Sequence, residues 1–111
     1  MDVVVHLPES DPAYGSRVLR NVANLLADDT LEVTVSIVAN GGGVSHLVTT
    51  AAGSAAVRDL IDDGVEVCAC SNTIANADYD EDDLVEGIRV VSSGMAELAR
   101  NQADGAAYIR P

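Results

Sequence analysis

Val65-Glu66-Val67-Cys68-Ala69-Cys70-Ser71-Asn72-Thr73-Ile74 is the stretch of sequence around which the fold can be predicted. Its first six residues form a short, mostly apolar run without strict alternation of polar and apolar residues. Such a run is typical of a strand buried on both faces of a parallel sheet. The three polar residues that follow have side chains that hydrogen-bond to backbone groups at helix starts. We therefore predict a central parallel strand that ends at Cys70 and turns directly into a helix.

Position alone leaves two interpretations of Cys70 open. Backbone N–H groups at a helix start stabilise negative charge and can lower the pKa of a thiol, which would make Cys70 a nucleophile. A free cysteine in an apolar strand can equally be an inert small hydrophobe, and we favour that interpretation for Cys68. Alternate residues of a strand lie about 6.5 Å apart, whereas disulfide-bonded Cβ atoms lie roughly 3.5 to 4.5 Å apart, so an internal disulfide would require the strand to break.

Length and composition predict one domain spanning residues 1–111. A chain of 111 residues that is 48% hydrophobic can bury one core, and no linker divides it. Two cysteines this close together are not a disulfide framework, and neither a signal peptide nor an apolar run of membrane-spanning length is visible. We expect a reducing, cytoplasmic setting with no membrane partner.

The charge balance is strongly acidic, with 18 acidic residues against six basic ones and a net charge of −12. All six basic residues are arginine. Such a surface repels phosphate backbones, and three Tyr without Phe or Trp offer no stacking platform, so we expect no direct nucleic-acid binding. Self-repulsion works against a compact fold unless salt screens it, and at 1 M salt the Debye length is about 3 Å. The lysine-free, acidic composition favours a halophilic protein over a merely acidic mesophilic one.

Predicted strands and helices alternate along the chain. The strands are expected at residues 3–7, 31–38, 65–70, 88–91 and 106–109. One helix begins at Pro12 with Asp11 as its cap, a second has Ser54 as its N-cap, and a third follows 92–94 and carries Met95, Leu98 and Ala99. This alternation predicts the α/β class, with a mostly parallel sheet covered by helices on both faces.

Two histidines and a glycine run stand out between these elements. His6 sits among valines, so we interpret it as a core or rim histidine with a satisfied hydrogen bond. After the second strand, glycine amides could approach an anion closely, although a flexible turn is the competing interpretation; this candidate ligand-binding loop is Asn40, Gly41, Gly42 and Gly43. It does not match a nucleotide fingerprint, and a Walker loop requires a lysine. A short helix is expected from Val44, with His46 on or near its solvent side.

Ligands of parallel α/β sheets bind beyond the carboxyl ends of the strands. Four exit loops are predicted to meet at that edge, at residues 8–10, 40–43, 70–73 and 92–94. They contribute one thiol, amides, hydroxyls and glycine backbone, with no metal-ligand set, carboxylate pair or cofactor motif. The acidic run 78–83 is expected to be a solvated loop and not a calcium loop, and its charges oppose ionisation of Cys70. Any chemistry at this edge is therefore expected to be thiol chemistry.

Three segments of the sequence resemble the DsrE/DsrF-like family, in particular its small single-domain branch with a Cys-x-Asn-Thr turn. They are Cys70-Ser71-Asn72-Thr73-Ile74, then Val90-Val91-Ser92-Ser93-Gly94-Met95-Ala96-Glu97-Leu98, and Gln102 to Gly105 leading into Ala107-Tyr108-Ile109-Arg110-Pro111. The resemblance implies a three-layer α/β/α domain with five strands. It also implies homo-oligomers, often trimers or hexamers.

The same resemblance implies a function. Better-known members carry persulfide sulfur on a cysteine and act in sulfur oxidation or in relays toward tRNA thiolation. Carried over, Cys70 would be the catalytic sulfur carrier and Asn72, Thr73, Ser93 and Gly94 would line its pocket, while Cys68 is not part of the turn motif. Sulfur donor and acceptor proteins would be its partners, and no cofactor is expected.

Three functions remain in competition at this point. The leading one is an intracellular persulfide carrier, a sulfurtransferase-type relay or thiol-exchange protein that uses Cys70. The second is a small-molecule or anion-binding module in which the loop from Asn40 to Gly43 and the turn at Ser93 and Gly94 supply amide donors. The third is an oligomeric interaction subunit without chemistry.

Overall fold

Five strands form one all-parallel sheet in the order β4-β3-β2-β1-β5 in the computed structural model, which describes residues 1–111. The strands are β1 (Asp2–Leu7), β2 (Thr34–Ala39), β3 (Glu66–Cys70), β4 (Arg89–Val91) and β5 (Ala107–Ile109). The α-helices are α1 (Pro12–Ala27), α2 (Ser54–Asp62), α3 (Ser71–Asn76) and α4 (Gly94–Ala103), with 3₁₀ helices at Gly41–Leu47 and Glu81–Asp83. The predicted α/β class and three-layer arrangement are confirmed.

The two faces of the sheet are buried unequally. Alternation along β1 sends Val3, Val5 and Leu7 into a cluster of 21 buried residues, which also includes residues of α1, α2 and α3. Val4 points the other way, into a cluster of five that includes Cys68 and Leu98 of α4. Because α4 is the only α-helix in the smaller cluster, this face is thinly covered. Cys68 belongs to this cluster, and Cys70, two residues along β3, is on the same face of the sheet.

Several helix ends were correctly predicted from local chemistry. The Asp11 carboxylate accepts a hydrogen bond from the Ala13 N–H at 3.2 Å, and Pro12 is the first helical residue of α1. The Ser93 hydroxyl likewise accepts one from the Ala96 N–H at 3.2 Å at the start of α4. Gly105 follows the end of α4 with a φ of 97°, a left-handed conformation that favours glycine.

The strand that ends at Cys70 is an interior parallel strand, as predicted, with β2 on one side and the edge strand β4 on the other. The prediction for the second strand was wrong in part, because that strand begins at Thr34 and not at Leu31. Thr34 pairs with Asp2 at the start of β1, so β1 has no residue left to pair with 31–33, and Leu31 is exposed.

The predicted N-cap of α2 needs correction, and the buried face of α4 has a feature that the sequence did not indicate. Ser54 is the first residue of α2 and Gly53 its N-cap, while the Ser54 hydroxyl accepts a 3.4 Å hydrogen bond from Arg58. On α4, Met95 and Ala99 face solvent and Leu98 is buried together with the carboxylate of Glu97. Arginines pair with that carboxylate, so the buried face of α4 contains a charged residue that hydrophobic spacing does not reveal.

The segment after β2 is a 3₁₀ helix that begins at Gly41, so the helix starts before Val44 and the glycines are not a flexible turn. The prediction that His46 lies near solvent was wrong. His46 is buried, its Nε2–H donates to the Glu9 carbonyl at 2.7 Å, and its ring lies against the Cα of Gly15, where a side chain would collide with it.

The acidic run 78–83 is mostly exposed, as predicted, with a short 3₁₀ turn inside it. None of the helices combines the length and apolar character needed to cross a membrane.

Candidate functional site

The four predicted exit loops meet at the carboxyl edge of the sheet. The Gly41 N–H donates to the Thr73 hydroxyl oxygen at 2.9 Å, which joins the loop after β2 to the start of α3. The Ser71 hydroxyl donates to the Ser92 carbonyl at 3.2 Å and joins α3 to the loop after β4. Gly42 packs so closely on Ser10 that a Cβ at Gly42 would lie 2.8 Å from the Ser10 nitrogen. The parallel topology therefore assembles all four loops around one site.

Cys70 is the N-cap residue of α3 and is buried, with a relative exposure of 6%. In that position the thiol makes no capping hydrogen bond, but it lies beside the N–H groups of Asn72 and Thr73, the second and third residues of the helix. Burial raises the pKa of the Cys70 thiol, but the nearby donors, which are the N–H groups of Gly94, Thr73 and Asn72 and the Thr73 hydroxyl, favour the thiolate and lower the pKa more. The net pKa of Cys70 is below its ordinary value of 9.0.

Thr73 connects the thiol to the glycine loop. Its hydroxyl oxygen accepts the Gly41 N–H, so the hydroxyl proton is available to the Cys70 sulfur, where it lowers the thiol pKa. The hydroxyl is held in place by a backbone group of a different element. Thr73 therefore gives a fixed donor to the sulfur.

Gly94 brings the first N–H of α4 to the same sulfur. A Cβ at this position would lie 3.0 Å from the Asn40 Cβ and 3.3 Å from the Cys70 Cβ, both tighter than ordinary contacts. The absence of a side chain lets the start of α4, Asn40 and Cys70 pack together. Ser93 contributes indirectly, because its hydroxyl caps α4.

A hydrogen-bonded chain of three side chains borders the site. His6 Nδ1 lies 2.6 Å from the Tyr108 hydroxyl, and His6 Nε2 lies 2.8 Å from Asn40 Oδ1. The expectation of a satisfied rim histidine is confirmed, since His6 has a relative exposure of 9%. Sequence reasoning did not assign Tyr108 to the site, and its only signal was its place in the terminal segment that resembles the family.

The glycine loop offers little to an anion. The Gly41 N–H is bound to Thr73 and the Gly43 N–H to the Asn40 carbonyl at 3.0 Å, so at most one of the three glycine amides could face a ligand. A Cβ at Gly43 would collide with the Leu7 carbonyl. These glycines are explained by close packing of the loop on the end of β1.

Cys68 lies in a different environment, although it is only two residues away. It is fully buried, and its thiol donates to Glu66 Oε1 at 3.5 Å. Burial raises the pKa of Cys68 to about 12, and the nearby Glu66 carboxylate adds to the effect. At neutral pH Cys68 is therefore a protonated thiol shielded from solvent, whereas Cys70 is poised to ionise.

Glu66, Cys68 and Glu97 place potential metal-ligating atoms within 4.8 Å of one another. Arg89 already holds both carboxylates, at 2.7 Å from Glu66 Oε1 and 2.8 Å from Glu97 Oε1. Arg100 binds the second oxygen of Glu97 at 3.1 Å. Because guanidinium groups neutralise these oxygens, the cluster is an ion-pair network in which a metal would have to displace Arg89.

The model of the DsrE/DsrF-like family matches residues 1–111. The chain belongs to the DsrE/DsrF-like family. It is similar to a solved structure described as a protein of unknown function, MTH1491 from Methanobacterium thermoautotrophicum, with 43% sequence identity and a TM-score of 0.93. The similarity covers 99% of this chain and 98% of that one. No curated protein gave a match. The DsrE/DsrF-like family is associated with sulfur relay.

Cys70 does not line either of two cavities of this DsrE/DsrF-like chain. A cavity of about 700 Å³ lies between α1 and α2, with Arg20, His46 and Asp59 among its lining residues. A second cavity of about 300 Å³ reaches Ser71. Cys70 is itself nearly fully buried, packed with Asn40 around Gly94.

Proposed function

We propose that this DsrE/DsrF-like chain is a persulfide-carrying or thiol-exchange protein that uses Cys70. One observation carries the proposal: Cys70 is the N-cap residue of α3 and packs against Gly94, the first residue of α4, so N–H groups at the starts of two helices lie near its sulfur and lower the thiol pKa. A larger thiolate fraction near neutral pH favours attack on a sulfur atom. The association of the family with sulfur relay supports the same chemistry.

The transfer step needs no external oxidant or reductant. The Cys70 thiolate attacks the outer sulfur of a donor persulfide and forms a new S–S bond, while the S–S bond of the donor breaks. The inner sulfur of the donor leaves as a thiolate. It is protonated by the proton that the persulfide carried or by water. The sulfur passes on to an acceptor thiolate by the same step.

In this proposal the residues around Cys70 have distinct roles. Asn72, Thr73 and Gly94 stabilise the sulfur anion by hydrogen bonds, and Ser93 positions the Gly94 N–H by capping α4. Cys68 takes no part, because it is buried and protonated. Sulfur donor and acceptor proteins are the proposed partners, in keeping with the association of the family with sulfur relay.

The structure gives weaker support to the alternative of an anion-binding module. Two of the three glycine N–H groups on which that alternative depends are bound within the chain, to Thr73 and to the Asn40 carbonyl. Neither this alternative nor an interaction subunit without chemistry predicts a reactive thiol. Thiol reactivity therefore separates the persulfide carrier from both alternatives.

The test compares Cys68→Ala and Cys70→Ala with the parent. Iodoacetamide rates are measured as a function of pH, and intact mass is recorded after incubation with a small-molecule persulfide donor. We expect Cys68→Ala to keep fast alkylation near neutral pH and to gain the mass of one sulfur atom. Cys70→Ala should lose both, because Cys68 is protonated and buried.

Retention of the sulfur adduct by Cys70→Ala would place the chemistry elsewhere and reject the proposal. A parent chain that alkylates slowly and takes up no sulfur would also reject it and would favour the two alternatives without thiol chemistry.

A further inference from the structure

The chain of hydrogen bonds from Tyr108 through His6 to Asn40 has a defined direction. Asn40 Oδ1 can only accept, so His6 Nε2 carries the hydrogen in their 2.8 Å contact. In the neutral ring, Nδ1 is then an acceptor, and the Tyr108 hydroxyl donates to it at 2.6 Å. The His6 ring is buried, so both partners fix its orientation.

This arrangement leaves one end of the Asn40 amide free. Its oxygen is bound by His6, whereas no protein acceptor lies within hydrogen-bonding distance of its Nδ2 group. Nδ2 is not among the fully buried polar atoms without a partner, so it faces accessible space. The amide therefore presents two N–H donors away from His6.

Asn40 and Cys70 are neighbours above Gly94. A Cβ built on Gly94 would contact the Cβ atoms of both residues, at 3.0 Å and 3.3 Å. The hydrogen bonds that lower the pKa of the Cys70 thiol come from backbone N–H groups and from Thr73, on the α3 and α4 sides of the sulfur. A second sulfur atom would extend the site by an S–S bond of about 2 Å, beyond the reach of some of these donors.

We propose that the Asn40 side-chain amide donates a hydrogen bond to the outer sulfur of a Cys70 persulfide, and that His6 and Tyr108 are positioning residues for that amide. This inference rests on the proposed function. It assigns different donors to the two sulfur atoms: backbone N–H groups and Thr73 stabilise the Cys70 thiolate, and Asn40 stabilises the transferred sulfur. The ligand of the amide is a persulfide anion, an acceptor that a neutral N–H donor suits.

The main test uses Asn40→Leu, which is close in shape to asparagine but has no N–H group. The pH profile of Cys70 alkylation is measured on the unloaded protein, and the decay of the persulfide adduct is followed by intact mass with a small acceptor thiol. We expect Asn40→Leu to change the alkylation profile by a smaller factor than it changes the adduct lifetime, because the donors beside the thiolate are backbone N–H groups and Thr73. Its adduct should be lost about tenfold faster, the factor expected for one missing hydrogen bond to a charged group.

Asn40→Asp is the second variant, since it keeps the oxygen that His6 binds and replaces the donor with an acceptor. Its adduct should decay at least as fast as that of Asn40→Leu.

The positioning role is tested by comparing His6→Gln, which retains an N–H near the position of Nε2, with His6→Leu. Adduct lifetime should be partly rescued by Gln and not by Leu, and Tyr108→Phe should shorten it without changing the thermal unfolding midpoint greatly, because Tyr108 lies on an exposed edge strand.

Three results would overturn the inference. If the parent is loaded with sulfur and Asn40→Leu holds the adduct equally long, Asn40 has no role at the outer sulfur, while the function of Cys70 stands. If Asn40→Leu shifts the alkylation profile as much as it shortens the adduct lifetime, its effect lies on the thiolate. If the parent takes up no sulfur, the proposed function fails and this inference fails with it.

Discussion

At the scale of single residues, Cys70 occupies a position that serine, threonine, aspartate or asparagine usually holds at a helix start. The sequence pattern was interpreted with Ser71, Asn72 and Thr73 as the capping residues, but these are the first three helical residues. Cys70 holds the N-cap position without making a capping hydrogen bond. The sequence predicted that the helix follows Cys70 directly, but not that Ser71, Asn72 and Thr73 would all lie inside it.

Thr73→Val should raise the pKa of Cys70, because valine matches threonine in shape but cannot donate to the sulfur. A lowered pKa means that the thiolate persists below the ordinary cysteine value of 9.0, so the loss of a donor moves the midpoint of the alkylation rate upward in pH. We expect slower alkylation at pH 7, by roughly tenfold for one hydrogen bond to an anion. Thr73→Ser, which keeps the hydroxyl, is the matched control. An unchanged midpoint in Thr73→Val would show that the hydroxyl does not act on the sulfur.

At the scale of elements, the strands and most helix ends followed from local patterns, because apolar runs and capping residues act over a few positions. The four-loop site was also predictable, since parallel strands bring their carboxyl ends to one edge. Features that depend on residues far apart in the sequence could not be predicted from local patterns. His46 is buried because Gly15 makes room for its ring, and Tyr108 joins the site through His6, 102 residues earlier in the chain.

The ion-pair network between α4 and the sheet provides a second test at this scale. Arg89→Met should destabilise the fold by about 1 to 2 kcal/mol, because it leaves the mostly buried Glu97 carboxylate with fewer partners. Arg100→Met is the control, since Arg100 is more exposed and its loss should cost less. Urea midpoints at pH 7 measure both changes.

This network also has a pH signature. Burial raises the pKa of Glu97, but its hydrogen bonds and ion pairs with Arg89 and Arg100 lower the pKa by more than burial raises it. The pKa of Glu97 is therefore below the ordinary value of 4.5. Its contribution to stability is therefore present above pH 4.5 and is lost as the pH falls through the lower folded-state pKa. The gap between parent and Arg89→Met should narrow in acid. A gap that stays constant down to pH 2 would rule out an electrostatic origin.

At the scale of the whole molecule, the net charge of −12 should make stability depend on salt. Few of the 18 acidic residues have an arginine partner, and most of the acidic side chains are exposed. Screening of their mutual repulsion should raise the urea midpoint from low to molar potassium chloride. A midpoint that does not change over that range would argue against adaptation to a salty environment.

We further propose that the chain self-associates, as trimers or hexamers. The observation in support is that large apolar side chains remain exposed on α4 and the β5 edge, with Met95 at 65%, Tyr108 at 41% and Ile109 at 42% relative exposure. Light scattering in molar salt should give a multiple of 11.5 kDa. The monomer mass at every concentration would refute the proposal. Met95→Glu should weaken the assembly if α4 contributes to the contact.

The edge strand β5 has a dynamic consequence for the site. It is three residues long, all of them exposed, and it pairs with β1 alone. Short edge strands open locally at a small fraction of the free energy of global unfolding. Each such opening would carry Tyr108 away from His6 and release the imidazole and the Asn40 amide to rotate. Hydrogen exchange of the backbone N–H groups of residues 107–109 should therefore report how often β5 opens. Their protection gives the fraction of molecules in which Tyr108 and His6 hold the Asn40 side chain in place.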